Sequence, residues 1–279
     1  MSHSSSLLQD LLAETLARLG ADASQRVIER AVVGLFFTGV LLDNGTCGLS
    51  ASPIKDIPAA VCCSSSLSAL PAPGKLRGRP VLDVLKDLAP EVGPMRRTLA
   101  IATLNALIET LWQRDGTPDG IQLSTGDACD ALQLQPKEKV VLVGAFTPYM
   151  RAFRREGRDY RVLEMDPATL KPEELPHYAP ADTAPAVVPW GDVLISTATT
   201  LINGTLDGLL ALTRPDTRIA VIGPTAPLLP NPYRLRGVHV VGGTRVRQDE
   251  GQRLLDLLSE GASGYHFFER QADRVNLVL

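Results

Sequence analysis

The sequence predicts a chain in two unlike parts: a small α+β unit over residues 1–120 and, over residues 121–279, an α/β unit built on a mainly parallel sheet. Three observations carry this expectation. The 279 residues suffice for two ordinary domains. Hydrophobic residues make up 44% and charged residues 21%, the composition of a packed chain and not of a disordered one. Near Lys137 the apolar pattern changes to short continuous runs alternating with helical stretches, as in a parallel sheet covered on both faces.

Residues 6–19 repeat Leu7, Leu8, Leu11, Leu12, Leu16 and Leu19 at helical spacing, and Gly20 supplies the stop. Residues 31–42 read as one buried strand, a run shorter than the roughly 20 residues that a membrane-crossing helix needs. Asp43-Asn44-Gly45 is a hairpin turn, because Asn and Gly tolerate positive φ, and residues 46–51 are the return strand. Residues 53–73, with Ser and Pro clusters, receive no assignment. Pro80 suits the first position of a helix over 80–89 that Pro90 ends. Residues 96–114 are the clearest helix, with Ile101, Leu104, Ile108 and Leu111 on one face and Asp115-Gly116 as terminator.

The second unit reads as strands at 140–143, 160–165, 192–196, 218–222 and, last, 238–241. Helices are expected at 149–156, 203–213 and, closing the chain, 249–260. Pro172, Pro176, Pro180, Pro185 and Pro189 mark an irregular excursion. This alternation is Rossmann-like.

Net charge is −3, without the basic excess of a phosphate-backbone binder, so nucleic acid is not an expected partner. No apolar run suggests a membrane span, and no charged-apolar-small leader opens the sequence, so a cytoplasmic location is the expectation. Homo-oligomerisation stays open. Cys47, Cys62, Cys63 and Cys129 form no Cys-x-x-Cys pair, and His3, His177, His239 and His266 are scattered, so no metal-site spacing is present. No nucleophile elbow, Ser-His-Asp order or Walker loop is found either.

The candidate site residues lie at the ends of predicted strands. Gly144 ends the first strand of the second unit, and Glu164 lies twenty positions on, at the end of the next strand. In dinucleotide sites an acid there takes a ribose hydroxyl. Phe146 and Tyr149 replace the later glycines of Gly-x-Gly-x-x-Gly, so a pyrophosphate cradle is not expected, and the segment reads equally as an ordinary strand–turn–helix without cofactor or as a nucleotide or nucleoside site. Ser196 to Thr205 crowds hydroxyls around Thr199, Thr200 and Asn203 just before a helix, an arrangement suited to an anion or carboxylate, or in part to helix capping. Gly223 and Thr225 follow another strand, and Gly242-Gly243-Thr244 follows the last. Carboxyl ends of parallel strands share one edge, so Thr199, Thr200, Asn203 and Thr225 are expected to line one pocket. From the first unit, Thr38 or Asn105 stands either beside it, in a cleft between the two units, or simply at the edge of the first unit's core, the plainer reading.

The stretches 192–206 (with Ser-Thr-Ala-Thr-Thr-Leu-Ile-Asn-Gly-Thr), 221–228 (with Gly-Pro-Thr) and 237–243, together with 33–40, 74–78 and 99–107, resemble the putative heavy-metal chelation family of bacteria and archaea. The resemblance covers nearly the whole chain. It implies an enolase N-terminal-like first domain, a Rossmann-like second one, and heavy-metal or metal-chelate handling in an interdomain cleft. Enolase's own catalytic barrel has no counterpart in the sequence, so enolase chemistry does not follow. Two readings stand side by side: a protein that binds a heavy-metal ion or metal chelate, and an enzyme using a nucleotide-like cofactor, such as a nucleoside methyl donor, in the same cleft.

Overall fold

The computed structural model describes residues 5–54, 71–117 and 120–279, so Cys62, Cys63, His3 and most of the unassigned 53–73 stretch lie outside the described residues. Helix α1 (Leu7–Leu19) begins at a capping box between Ser6 and Gln9 and ends at Gly20, whose φ of +58° a side chain would strain. After α2 (Ala21–Gln25), strands β1 (Ile28–Val33), β2 (Phe37–Leu42) and β3 (Cys47–Ala51) form an antiparallel sheet in that order. The stretch 31–42 is therefore not one strand. It reverses at Gly34-Leu35-Phe36, where the Gly34 amide donates to the Phe37 carbonyl at 3.0 Å. A Cβ on Gly34 would lie 2.5 Å from the Leu258 carbonyl oxygen. The turn carries Leu35 and Phe36, 49% and 47% exposed, and so lacks the polar signal of a turn.

Helix α3 (Val81–Leu85) starts one residue later than expected, with Pro80 at its cap, and continues as a 3-10 turn over Lys86–Leu88. Helix α4 (Pro94–Asp115) is buried on nearly every side, from Met95 to Trp112. It packs against β2 and β3 and shares one continuous core with the second half, from Leu99 and Leu104 to Leu194 and Val221.

The second half contains β4 (Gln122–Ser124), α5 (Ala128–Ala131), β5 (Val140–Val143), α6 (Thr147–Glu156), β6 (Tyr160–Glu164) and β7 (Tyr178–Pro180). There follow α7 (Ala184–Val187), β8 (Val193–Thr197), a 3-10 turn over Ala198–Leu201, α8 (Leu206–Ala211) and β9 (Arg218–Ile222). Helix α9 (Pro230–Arg234), β10 (Val240–Val246), α10 (Gly251–Ser259), α11 (Gly264–Phe267) and β11 (Ala272–Val278) complete it. The sheet order is β4-β11-β10-β9-β8-β5-β6-β7, parallel from β10 to β7. Counted from β5, the parallel part follows the 3-2-1-4-5-6 order of doubly wound sheets.

Two expectations change. The strand read at 238–241 is longer and is not the last, because β11 pairs antiparallel with β10 and β4 with β11. The helix read from 203 begins at Leu206, because the Asn203 side chain accepts from the Thr205 amide and hydroxyl at 3.1 and 2.7 Å and makes a turn instead. No helix of the described residues is long and apolar enough to cross a membrane.

Alternation along the strands separates two cores. Val141, Leu194, Val221 and Val241 face α1, α4, α8 and α9, whereas Val140, Leu142, Val162 and Ile195 face Met150 and Phe153 of α6. Helix α10 packs its Leu254, Leu255 and Leu258 on the other side of the small sheet, against Leu41, Cys47 and Leu49. The small sheet is thus held between α4 and α10. At Gly48 the backbone of β3 approaches α4 so closely that a Cβ would lie 2.2 Å from the Ala102 oxygen and 2.3 Å from the Ala106 nitrogen. Gly48→Ala must therefore push the helix off the sheet, and a loss of about 3 kcal/mol of stability is expected in denaturant unfolding. A loss under about 0.5 kcal/mol would contradict this packing.

Candidate functional site

A cavity of about 390 Å³ opens where β5, β6 and β8 end, at the point where the sheet order reverses direction. Gly144 turns the chain out of β5 at φ +97°, and a Cβ there would lie 2.9 Å from Thr197 Cγ2. Only glycine lets the ends of β5 and β8 come this close. Beyond it, the Phe146 amide donates to the Gly144 carbonyl and the Thr147 amide to that of Ala145, while Pro148 has no amide hydrogen. The start of α6 therefore keeps few free donors for a phosphate. The Phe146 ring lies stacked on Tyr149, with centroids 5.2 Å apart.

Glu164 sits on the opposite wall. Its Oε1 accepts from the amides of Met165 and Asp166 at 2.8 and 3.1 Å, which fixes the carboxylate at the end of β6. No bond of Oε2 to the described residues competes with a ligand. The third wall is the hydroxyl-rich loop. Much of it is explained by its own turn: Thr200 Oγ1 donates to the Thr197 carbonyl at 2.6 Å and meets Ser196 Oγ at 3.2 Å, and Thr197 Oγ1 meets Thr199 Oγ1 at 3.1 Å. Thr199, Thr200 and Asn203 still line the cavity, and Asn203 Nδ2 lies 3.7 Å from the sulfur of Met165 across its mouth.

The structure thus brings together Gly144, Phe146, Glu164, Thr199, Thr200 and Asn203. It does not bring Thr225, Gly223, Thr38 or Asn105 there. Thr225, 1% exposed, accepts the Ala51 amide on its hydroxyl at 3.0 Å, and Asn105 Nδ2 donates to the Leu49 carbonyl at 2.7 Å. Thr38 is buried against Ser52. Gly223 lines a different, smaller cavity. The single pocket expected from the sequence fails because the chain after β9 turns over α4, where Leu228 and Leu229 join the core. Thr225 and Asn105 do lie close, as packed seam and not as cleft, and the cavity is lined by residues 143–209 alone.

Two features escaped the sequence reading. Met165, 71% exposed, guards the mouth. Arg97, 5% exposed on α4, donates to the Ile202 carbonyl at 2.7 Å and to those of Ala89, Pro90 and Val92. It holds the hydroxyl loop from behind. An arginine within an otherwise apolar helical face was the available signal.

The lining holds one carboxylate and no lysine or arginine, so its charge disfavours the anion expected from the hydroxyls. Among the described residues no three His, Cys, Asp or Glu side chains cluster as metal ligands. Burial, then Glu109, pushes the Cys47 thiol up to about 12. Burial, then Asp127, pushes that of Cys129 to about 12 as well.

Residues 127–277 and, separately, 16–108 match two family descriptions that share the words putative heavy-metal chelation. No curated protein matches the chain. The fold is similar to that of a DUF364-family protein of unknown function from Pyrococcus horikoshii, at 18% identity and TM-score 0.76, covering 98% of this chain and 100% of that one. It is also similar to one from Desulfitobacterium hafniense DCB-2, at 18% identity and TM-score 0.70, covering 97% and 99%.

The thiols give a test of this geometry. With Cys62, Cys63 and Cys129 replaced by serine, Cys47, 3% exposed, should react with a chromogenic disulfide reagent at pH 8 at least about 100-fold more slowly folded than in guanidinium. Because the folded state keeps the protons of both Cys47 and Cys129, their contribution to stability is full below about pH 8.5, the unfolded value, and falls as pH rises towards 12. Rapid labelling of the folded protein at pH 8 would refute the burial.

Proposed function

The chain belongs to the DUF364 family, described as putative heavy-metal chelation, and on that premise we propose that the cavity at the ends of β5, β6 and β8 binds a small organic ligand of the ribonucleoside class. The observation that carries this reading is Glu164. Its carboxylate is fixed through Oε1 at the end of the strand beside Gly144, with Oε2 left for a hydroxyl pair. The Thr199 and Thr200 hydroxyls and the Asn203 amide supply further hydrogen bonds, and Phe146, Leu163 and Leu209 supply apolar surface for a flat ring.

The charge of the lining refines the choice. One carboxylate without a cation favours a neutral or positively charged nucleoside, the latter including sulfonium methyl donors. The closed start of α6 disfavours a dinucleotide, whose pyrophosphate would need free amides there. A second reading keeps the family's description in view. Glu164 and Met165 offer one hard and one soft donor at the mouth, too few for a bare ion but compatible with a metal that arrives already bound to an organic chelator.

Calorimetry with adenosine, S-adenosylmethionine, NAD and cadmium with and without an aminocarboxylate separates these readings. The two nucleosides should bind, NAD at least about tenfold more weakly. Glu164→Ala should cost about 1.5–3 kcal/mol of nucleoside affinity by removing a charge-assisted hydrogen bond. Unchanged nucleoside affinity in Glu164→Ala, or tight binding of bare cadmium alone, would overturn the nucleoside assignment.

A further inference from the structure

A second cavity lies farther along the sheet, past the end of β9 and beside Gly242, Gly243 and Thr244 of β10, beneath α5 and α6. It measures about 140 Å³ and shares no lining residue with the first. The stacked rings of Phe146 and Tyr149 stand between them, one contributing to each lining. Small-molecule pockets span roughly 300–1,000 Å³, so this one suits a ligand of only a few heavy atoms.

Its charges set it apart from the first cavity. Asp127 caps α5 and accepts from the Cys129 amide at 2.8 Å and from the Tyr149 hydroxyl at 2.5 Å. Both bonds fall on Oδ1, so the carboxylate is held in one orientation and Oδ2 has no bond to the described residues. Arg274, which lines the same cavity and is exposed as Asp127 is, comes from β11, the antiparallel strand that extends the sheet beyond β10. Its cross-strand partner in β10 is Thr244, which puts the guanidinium and a hydroxyl on one face of the sheet. The guanidinium lies over the Phe268 ring, 4.2 Å from its centroid, and makes no ion pair with the described residues. The aromatic face restrains the cation without neutralising it.

We propose that this cavity binds a small zwitterion of the α-amino-acid class, with Asp127 receiving the ammonium and Arg274 and Thr244 the carboxylate. A dianion would meet Asp127 and a simple cation would meet Arg274, whereas a zwitterion satisfies both. Its amino and carboxylate groups are also a bidentate metal-binding pair, a chemistry in keeping with the family's description. The assignment does not rest on the nucleoside reading.

The test is calorimetry of the full chain with glycine, L-alanine and L-serine beside N-acetylalanine and alanine methyl ester, each of which lacks one charge. At least one free amino acid should bind at concentrations up to about 10 mM, and each blocked compound at least about tenfold more weakly. Arg274→Gln and Asp127→Asn should each weaken the amino acid about tenfold or more, with adenosine affinity and melting temperature unchanged. Asn still accepts the Cys129 amide, so the cap of α5 survives. Absence of amino-acid binding up to about 10 mM, equal binding of the blocked compounds, or full affinity in Arg274→Gln would overturn the proposal. Amino-acid binding without adenosine binding would count against the nucleoside site alone.

Discussion

Helix α4 is buried along most of its length, so the polar groups it carries must find partners inside the protein. Those partners are what join the two halves. Trp112 Nε1 donates to the Leu228 carbonyl at 2.9 Å, and Glu109 takes a two-pronged bond from Arg245 of β10 at 2.7 and 2.9 Å. Arg245 also lies over the Trp112 ring, 4.5 Å from its centroid. Arg97 gathers four carbonyls from two separate loops. A buried guanidinium surrounded by carbonyls is tolerable only while all of them stay in place, so the same contacts that satisfy α4 also fix the hydroxyl loop at the edge of the large sheet. The rigidity of the candidate site begins behind it, in a helix that contributes no residue to the lining of the cavity.

The strand ends were largely legible because each rule that places them is local. Continuous apolar runs gave β5, β8 and β9 within a residue, and Gly144 and Glu164 could be paired from their separation alone. What could not be read was direction after the strands. Whether the segment after β9 bends towards β5 or over α4 depends on which apolar surface Leu228 and Leu229 find, and that is a tertiary question. The hairpin inside 31–42 was hidden for a different reason. Its turn is made by a glycine with no room for a side chain and two apolar residues, so hydrophobicity ran through the reversal unbroken. Strand β11 was missed because its middle carries Asp273, Arg274 and Asn276, which break the apolar run; β4 flanks only Asn276, Leu277 and Val278, so Asp273 and Arg274 lie where β11 has a neighbour on one side alone.

The two cavities also illustrate how one sheet edge can present different chemistry at either end. Around the switch point β5 and β8 close in so tightly that Gly144 has no room for a side chain, and charge enters the cavity through a single glutamate. Towards β10 the added antiparallel strand brings in an arginine that the parallel strands alone would not supply. The difference follows from topology before it follows from residue choice.

The sandwiching of the small sheet between α4 and α10 bears on how the chain reaches its fold. Arg30 of β1 meets Asp256 of α10 at 2.7 Å, yet the two are 226 positions apart in sequence. During synthesis the sheet and α4 emerge first, with the side of the sheet carrying Leu41, Cys47 and Leu49 still uncovered until α10 leaves the ribosome. The amino-terminal half is thus a nascent unit with one bare apolar face, and its completion is a late, non-local step. In the interval that face must be shielded by transient collapse or by a chaperone, which makes the order of translation itself a constraint on this architecture.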